Sequence, residues 1–242
     1  MTLLRSTLFN LYFFALTTVL TVAGTLWVLI APQRSLGVAM LWARLLVAGA
    51  RVICGIRLEV SGREWMPTGG PALIASVHQS AFDTIVWLTL LPRCCYVLKQ
   101  ELLRIPVTGP LIAKTGMIAV DRAAGAASLR HLLREADRAM REARQIVIFP
   151  EGTRGAPGHR LPLQPGIAAL ATRTGLPVIP VVTDSGLCWG RRAFNKRAGV
   201  IHIRLCPPIA AGTPRETLMQ QLDAVFQSST DYAPAGMDKS VD

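Results

Sequence analysis

The stretch Ala72 to Leu98, ALIASVHQSAFDTIVWLTLLPRCCYVL, decides the fold because its apolar pattern changes period twice. Ala72 to Val77 is a short, nearly continuous apolar run of strand length, and Thr84 to Leu91 reads as a helix begun by Ser80 or Asp83. Cys94 to Leu98 is again a buried strand. A strand, a polar turn, a helix and a strand form the unit from which parallel sheets are built. Similar runs recur outward from it at Ile56 to Val60, Met117 to Val120, Ile146 to Phe149, Val178 to Val182 and Val200 to Leu205. Helical patterns at Ala126 to Arg144 and Ile167 to Thr174 alternate with them. The predicted fold class is therefore α/β, a mostly parallel buried sheet flanked by helices.

The chain has 242 residues, 51% of them apolar and 17% charged, and a mean hydropathy of +0.38. Collagen-like, disulfide-framework and wholly disordered classes are excluded, and a membrane-associated globular protein fits this balance best. Lys and Arg number 26 against 15 Asp and Glu, for a net charge of +11, so the surface attracts anions: nucleic acid, acidic headgroups or a phosphorylated substrate. The five cysteines, Cys54, Cys94, Cys95, Cys188 and Cys206, form no C-x-x-C and have no His at ligand spacing. They read as reduced thiols, with no metal site and no cofactor expected.

From Ser6 to Gln33 the chain runs 28 residues without a charge. As a helix this spans about 42 Å, more than the ~30 Å hydrocarbon core, and it exceeds a signal-peptide core. Pro32 ends it, and Ser35 to Ala50 reads as a second, interfacial segment interrupted by Arg44. Arg34, Arg44, Arg51 and Arg57 outnumber Arg5, so the positive-inside rule leaves the rest of the chain cytoplasmic. Residues 1–50 are thus expected to be a membrane-associating helical segment, 51–227 one α/β domain, and 228–242 a loose tail.

His78 follows a strand at the carboxyl edge of the expected sheet, where ligands gather in open α/β folds. Asp83, five residues on, meets it only if His78 is still in the turn. A carboxylate there fixes the tautomer of the imidazole while the other ring nitrogen takes a proton. Ser80 and Asp83 also match a capping box, which would give Asp83 a purely structural role, and spacing alone leaves both readings open. Ser80 itself reads as an N-cap rather than a nucleophile.

A second constellation follows another strand: Glu151, Gly152, Thr153 and Arg154. Glycine lets the backbone approach an anion, threonine adds a hydroxyl donor, and arginine presents a planar fork matched to phosphate. Glu151 does not suit a bare phosphate, and is expected to orient Arg154 or Arg122 or to accept a hydrogen bond from a substrate hydroxyl. Arg122 ends a further strand at the same edge. Trp189, Arg191, Arg192, Phe194, Lys196 and Arg197 read as a basic surface loop, with a membrane or donor-docking patch as the alternative. Basic and aromatic residues interleave only there, without a nucleic-acid motif, so no nucleic-acid role is expected.

The blocks His78-Gln79-Ser80-Ala81-Phe82-Asp83, Gly116 to Arg122, Phe149-Pro150-Glu151-Gly152-Thr153-Arg154 and Val178 to Val182, in this order, resemble the glycerolipid acyltransferase family. The chain departs from its pattern at Val77, where many members carry Asn, and at Ala119, where a larger residue is common. The resemblance implies transfer of a fatty acyl group from a thioester, acyl-CoA or acyl carrier protein, to the sn-2 hydroxyl of lysophosphatidic acid at the inner (cytoplasmic) membrane. It implies His78 as general base and Asp83 as its orienter, with Arg122, Glu151, Gly152, Thr153 and Arg154 binding the phosphate. Lys99, Gly116 and Pro180 would lie along an acyl or acceptor channel. Another lysolipid acceptor, glycerol 3-phosphate, or a non-catalytic basic membrane adaptor remain as alternatives.

Overall fold

The computed structural model describes residues 1–106, 108–159 and 161–227. The tail expected from Ser228 lies outside them. Seven strands form one sheet: β1 (Ile56–Ser61), β2 (Ala72–Ser76), β3 (Cys94–Lys99), β4 (Ile118–Val120), β5 (Gln145–Ile148), β6 (Val178–Thr183) and β7 (Gly199–Leu205). Their order is β1-β7-β6-β2-β5-β3-β4. Every neighbouring pair is parallel except β6 and β7. Strands β6, β2, β5, β3 and β4 therefore run one way and send their carboxyl ends to one edge. β2 and β5 are buried at every residue, which is why they read as continuous apolar runs rather than alternating ones.

Two apolar layers cover the sheet. On one face lie α1 (Thr2–Ile30), α2 (Ser35–Gly49) and α3 (Ala81–Leu90); on the other lie α5 (Ala126–Arg141), α6 (Gly166–Thr174) and α8 (Arg215–Gln227), with α4 (Thr108–Lys114) beside α1 and α2. Strand alternation divides adjacent residues between the layers: Cys94 joins the first core and Cys95 the second. All five cysteines are free and buried. Helix α3 has buried Phe82, Ile85, Val86, Trp87 and Leu88, as expected for a helix apolar on all sides. In α5, Leu132, Ala136 and Ala139 face the core, while Arg138 pairs with Glu135 and Glu142.

The N-terminal helices share the domain's core. Phe9, Ala43, Leu46 and Ala50 pack in the same cluster as Ile74, Trp87 and Val147, and the Tyr12 hydroxyl donates to Leu45 O at 2.8 Å to tie α1 to α2. A π-helical turn, Ala50–Cys54, extends α2, so the apolar helical stretch runs Ser35–Cys54 and is 20 residues long. The segment expected to be interfacial is thereby about 30 Å long. Both helices are long and apolar enough to cross a membrane. Leu4, Leu8, Leu11, Phe14 and Leu26 of α1 remain exposed on the side away from the domain, which suits membrane association.

Candidate active site

The site is built from the turns that follow β2, β3, β4, β5 and β6, all at one edge of the sheet. After β2 the chain enters a tight turn whose end is set by Ser80. That residue has extended dihedrals (φ −138°, ψ 160°), and its Oγ accepts from Phe82 N at 3.1 Å, so it is the N-cap of α3. Ser80 is fully buried in that role. Asp83 returns Oδ2 to the backbone amides of Ser80 (2.8 Å) and Gln79 (2.7 Å), and the same oxygen lies 3.0 Å from Nδ1 of His78. The capping box and the His78 pair are thus one arrangement rather than rivals. Asp83 Oδ1 is buried without a hydrogen-bond partner, a local cost of about 1–3 kcal/mol of the kind tolerated at functional sites.

The His78 ring is fixed from two further sides. Phe149, the last apolar residue before the turn after β5, stacks on it with centroids 4.1 Å apart and planes at 22°, and Tyr96 backs Phe149 at 6.1 Å. The backbone of His78 donates to Glu151 Oε2 at 2.7 Å, while its carbonyl accepts from Gly155 N at 2.8 Å. Glu151 therefore grips the main chain of His78. Among the described residues it forms no ion pair with Arg122 or Arg154, contrary to the expectation that it orients them. Burial pushes its carboxyl up to about 7, an effect that the His78 amide opposes and the Asp83 charge reinforces.

With Nδ1 committed to Asp83, the His78 ring lines a cavity of about 540 Å³. Five cations stand on its wall: Arg122, Arg154, Arg191, Arg192 and Lys99. Four helices also line it with apolar side chains, among them Leu20 of α1, Trp42 of α2, Leu88 of α3 and Leu111 of α4. Arg122 donates through Nη1 to Gly152 O, joining the β4 and β5 turns. Gly152 has φ +69°, a left-handed backbone that glycine adopts without strain, and it lines the cavity with Thr153 and Arg154. Burial depresses the pKa of Arg154; the Asp83 charge opposes this, and the charges of Arg191 and Arg192 add to it. Lys99 pairs with Glu101 at 2.8 Å.

Two residues expected along a channel stand elsewhere. Gly116 is not on the cavity wall: at φ +76° its carbonyl accepts from Cys95 Sγ, Arg138 Nη2 and Arg144 Nη1, and a Cβ there would come within 2.5 Å of the Arg144 guanidinium. Pro180 lies buried inside β6, opposite Ala75 of β2, and is not on the wall either. Arg191 and Arg192, expected in a basic surface loop with a membrane or donor-docking patch as the alternative, line the cavity, as do helical residues that no motif in the sequence marks. The available signal was that the 189–197 loop follows β6, a strand parallel to β2, so that it opens at the edge occupied by His78.

Residues 57–184 match the model of a family described as Acyltransferase. The chain is 34% identical over 206 residues to a 1-acyl-sn-glycerol-3-phosphate acyltransferase of Pseudomonas aeruginosa, covering 83% of this chain and 80% of that protein. It is 31% identical over 170 residues to the human 1-acyl-sn-glycerol-3-phosphate acyltransferase alpha, covering 69% of this chain and 59% of that one. The fold matches the crystal structure of a 1-acyl-sn-glycerophosphate acyltransferase, PlsC, from Thermotoga maritima with a TM-score of 0.76, at 20% identity, over 98% of this chain and 100% of that one. With the family match covering the segment that carries His78, Asp83 and the basic turns, the chain belongs to the acyltransferase family.

Proposed function

We propose that the chain transfers a fatty acyl group from a thioester, acyl-CoA or acyl carrier protein, to the sn-2 hydroxyl of 1-acyl-sn-glycerol 3-phosphate, forming phosphatidic acid. One observation carries this reading: the His78 ring, with Nδ1 held by Asp83, stands on the wall of a cavity lined both by cations and by apolar helical side chains. That combination matches a lysophospholipid, whose phosphate is anionic and whose chain is apolar. Arg154, Arg122 and the Gly152–Thr153 turn would hold the phosphate, and the apolar helical lining would receive hydrocarbon.

In this mechanism the acceptor hydroxyl gives its proton to Nε2 of His78 as its oxygen forms a bond to the thioester carbonyl carbon. Asp83 stabilises the resulting imidazolium. Collapse of the tetrahedral intermediate breaks the carbon–sulfur bond, and the departing sulfur takes the proton back from Nε2. No enzyme nucleophile is needed, in keeping with Ser80 being buried as an N-cap. The lipid-soluble acceptor and the exposed apolar face of α1 suit a site at the inner membrane, with the excess of arginines after the first helix favouring its cytoplasmic side.

Purified chain given acyl thioester and a panel of lysophosphatidic acid, lyso-ornithine lipid and glycerol 3-phosphate is expected to release thiol fastest with lysophosphatidic acid, and mass spectrometry is expected to find phosphatidic acid. Faster release with another acceptor overturns the substrate assignment.

A further inference from the structure

The 189–197 loop carries two guanidinium groups that acceptor binding leaves without a role. Arg191 and Arg192 are exposed, sit on the cavity wall and form no ion pair among the described residues, whereas Lys99 is neutralised by Glu101 and Arg122 is engaged by Gly152. Arg192 also has φ +54°, a left-handed backbone that is costly for a residue with a Cβ. Such strain persists only where the surroundings impose it, and it clusters at functional positions.

Lys196 supplies that constraint. It is buried, its Nζ donates to Asn10 Oδ1 of α1 and to Phe194 O, and it lies 5.1 Å from the centroid of Trp189. Its backbone N donates to Ser6 Oγ at 2.9 Å, and Trp189 in turn packs edge-on against Phe9 at 5.3 Å. The loop is thereby latched to α1, and the backbone that carries both arginines is held beside the cavity. A basic cluster organised in this way has no use without an anion, since its members repel one another.

We propose that Arg191 and Arg192 form a second anion subsite, which takes the phosphate on the pantetheine arm of the acyl donor while Arg122 and Arg154 take that of the acceptor. The inference rests on the transfer reaction proposed above. Both substrates must reach His78, both carry phosphate, and one phosphomonoester does not need four guanidiniums. The half-buried Arg154 suits the acceptor phosphate close to the reacting hydroxyl. The exposed pair suits a donor that arrives from water. The depressed pKa of Arg154, caused by burial and then by Arg191 and Arg192 against the opposing Asp83, agrees with guanidiniums crowded around a site awaiting negative charge.

The test compares the full chain with its Arg191→Gln/Arg192→Gln variant in neutral detergent micelles. The donors are acyl-CoA, acyl carrier protein and the phosphate-free acyl-N-acetylcysteamine thioester. The KM for acyl-CoA and for acyl carrier protein is expected to rise about 10- to 100-fold, the loss typical of one or two hydrogen bonds between charged partners, with the lysophosphatidic acid KM unchanged. With the phosphate-free thioester, variant and parent should be equal. Arg192→Gly, which suits the left-handed backbone, removes one guanidinium while preserving the turn and should give part of the same effect.

A rise in the acceptor KM, an equal loss with all three thioesters, or a rise confined to acyl-CoA overturns the assignment. A loss found only on vesicles of anionic lipid and absent in micelles overturns it in favour of a membrane surface. If the parent chain releases no thiol with any lysolipid, the transfer reading fails and this inference with it. If the parent turns over and the variant matches it with every donor, this inference alone fails.

Discussion

Two histidine–aspartate pairs occur among the described residues, and one of them faces the cavity. His78 and Asp83 meet at 3.0 Å in the turn after β2, while His202 and Asp184 meet at the shorter distance of 2.6 Å between β7 and the turn after β6. Asp184 also accepts from the His202 backbone N at 2.7 Å, so it staples a strand, and Glu59 lies 3.8 Å from the other ring nitrogen. His202 does not line the 540 Å³ cavity. A close pair is therefore not a sufficient sign of catalysis. His78 differs in having its ring stacked on Phe149, on the wall of a cavity lined by cations and apolar side chains.

The largest effect that separates the two pairs should come from His78→Ala. Thiol release is expected to fall by about 10² to 10⁴-fold, the range for removal of a general base, and near-normal turnover would dissolve the distinction. Asp83→Asn comes next. It leaves the size of the side chain but weakens its hold on the ring, so turnover should drop by a similar order, about 10²-fold or more, with up to about 1 kcal/mol of stability lost from the cap. If its kinetics are unaffected and only the melting temperature falls, Asp83 is a cap and nothing more.

Arg154→Ala should raise the acceptor KM about 10- to 100-fold and leave the donor KM in place, which steady-state kinetics in micelles would read directly. An effect on the donor alone would move Arg154 out of the acceptor clamp. Glu151 offers a pH test. Its carboxyl titrates near 7 in the folded chain against about 4.5 ordinarily, so between those values the folded state binds more protons than the unfolded state. Stability should then fall as pH rises through this window, by about 3 kcal/mol in total. Glu151→Gln should flatten that slope in thermal melts taken across pH 4 to 8, and an unchanged slope would assign it to another group.

The smallest change is expected from His202→Gln, with turnover unaltered and about 1 kcal/mol of stability lost with its side-chain hydrogen bond to Asp184. Loss of activity comparable to His78→Ala would show that the comparison had been drawn between the wrong features.

Legibility of the site in the sequence varied with the range of the interactions involved. The strand–turn–helix that presents His78 could be read because period, apolar runs and an N-cap are local signals. Spacing alone leaves the role of Asp83 open, since it stands where a capping carboxylate and a histidine partner could each stand; the family resemblance makes it the orienter, and one oxygen serves both roles. Because a carboxylate does not suit a bare phosphate, the sequence suggests that Glu151 orients Arg154 or Arg122 or accepts a hydrogen bond from a substrate hydroxyl. It bonds instead to a backbone amide 73 residues away. Gly116 and Pro180 were borrowed as channel residues, yet one accommodates Arg144 and the other fills the sheet.

From its own residues, the chain declares seven strands, three helices of the α/β domain and an apolar N-terminus, because each depends on neighbours a few positions apart. Tertiary structure alone decides that the turns after five strands share one edge, that α1 and α2 line the same cavity as His78, and that a lysine latch holds the loop of Arg191 and Arg192 beside it. These relations join residues scattered from one end of the chain to the other. Only sheet order and packing of the cores bring them together.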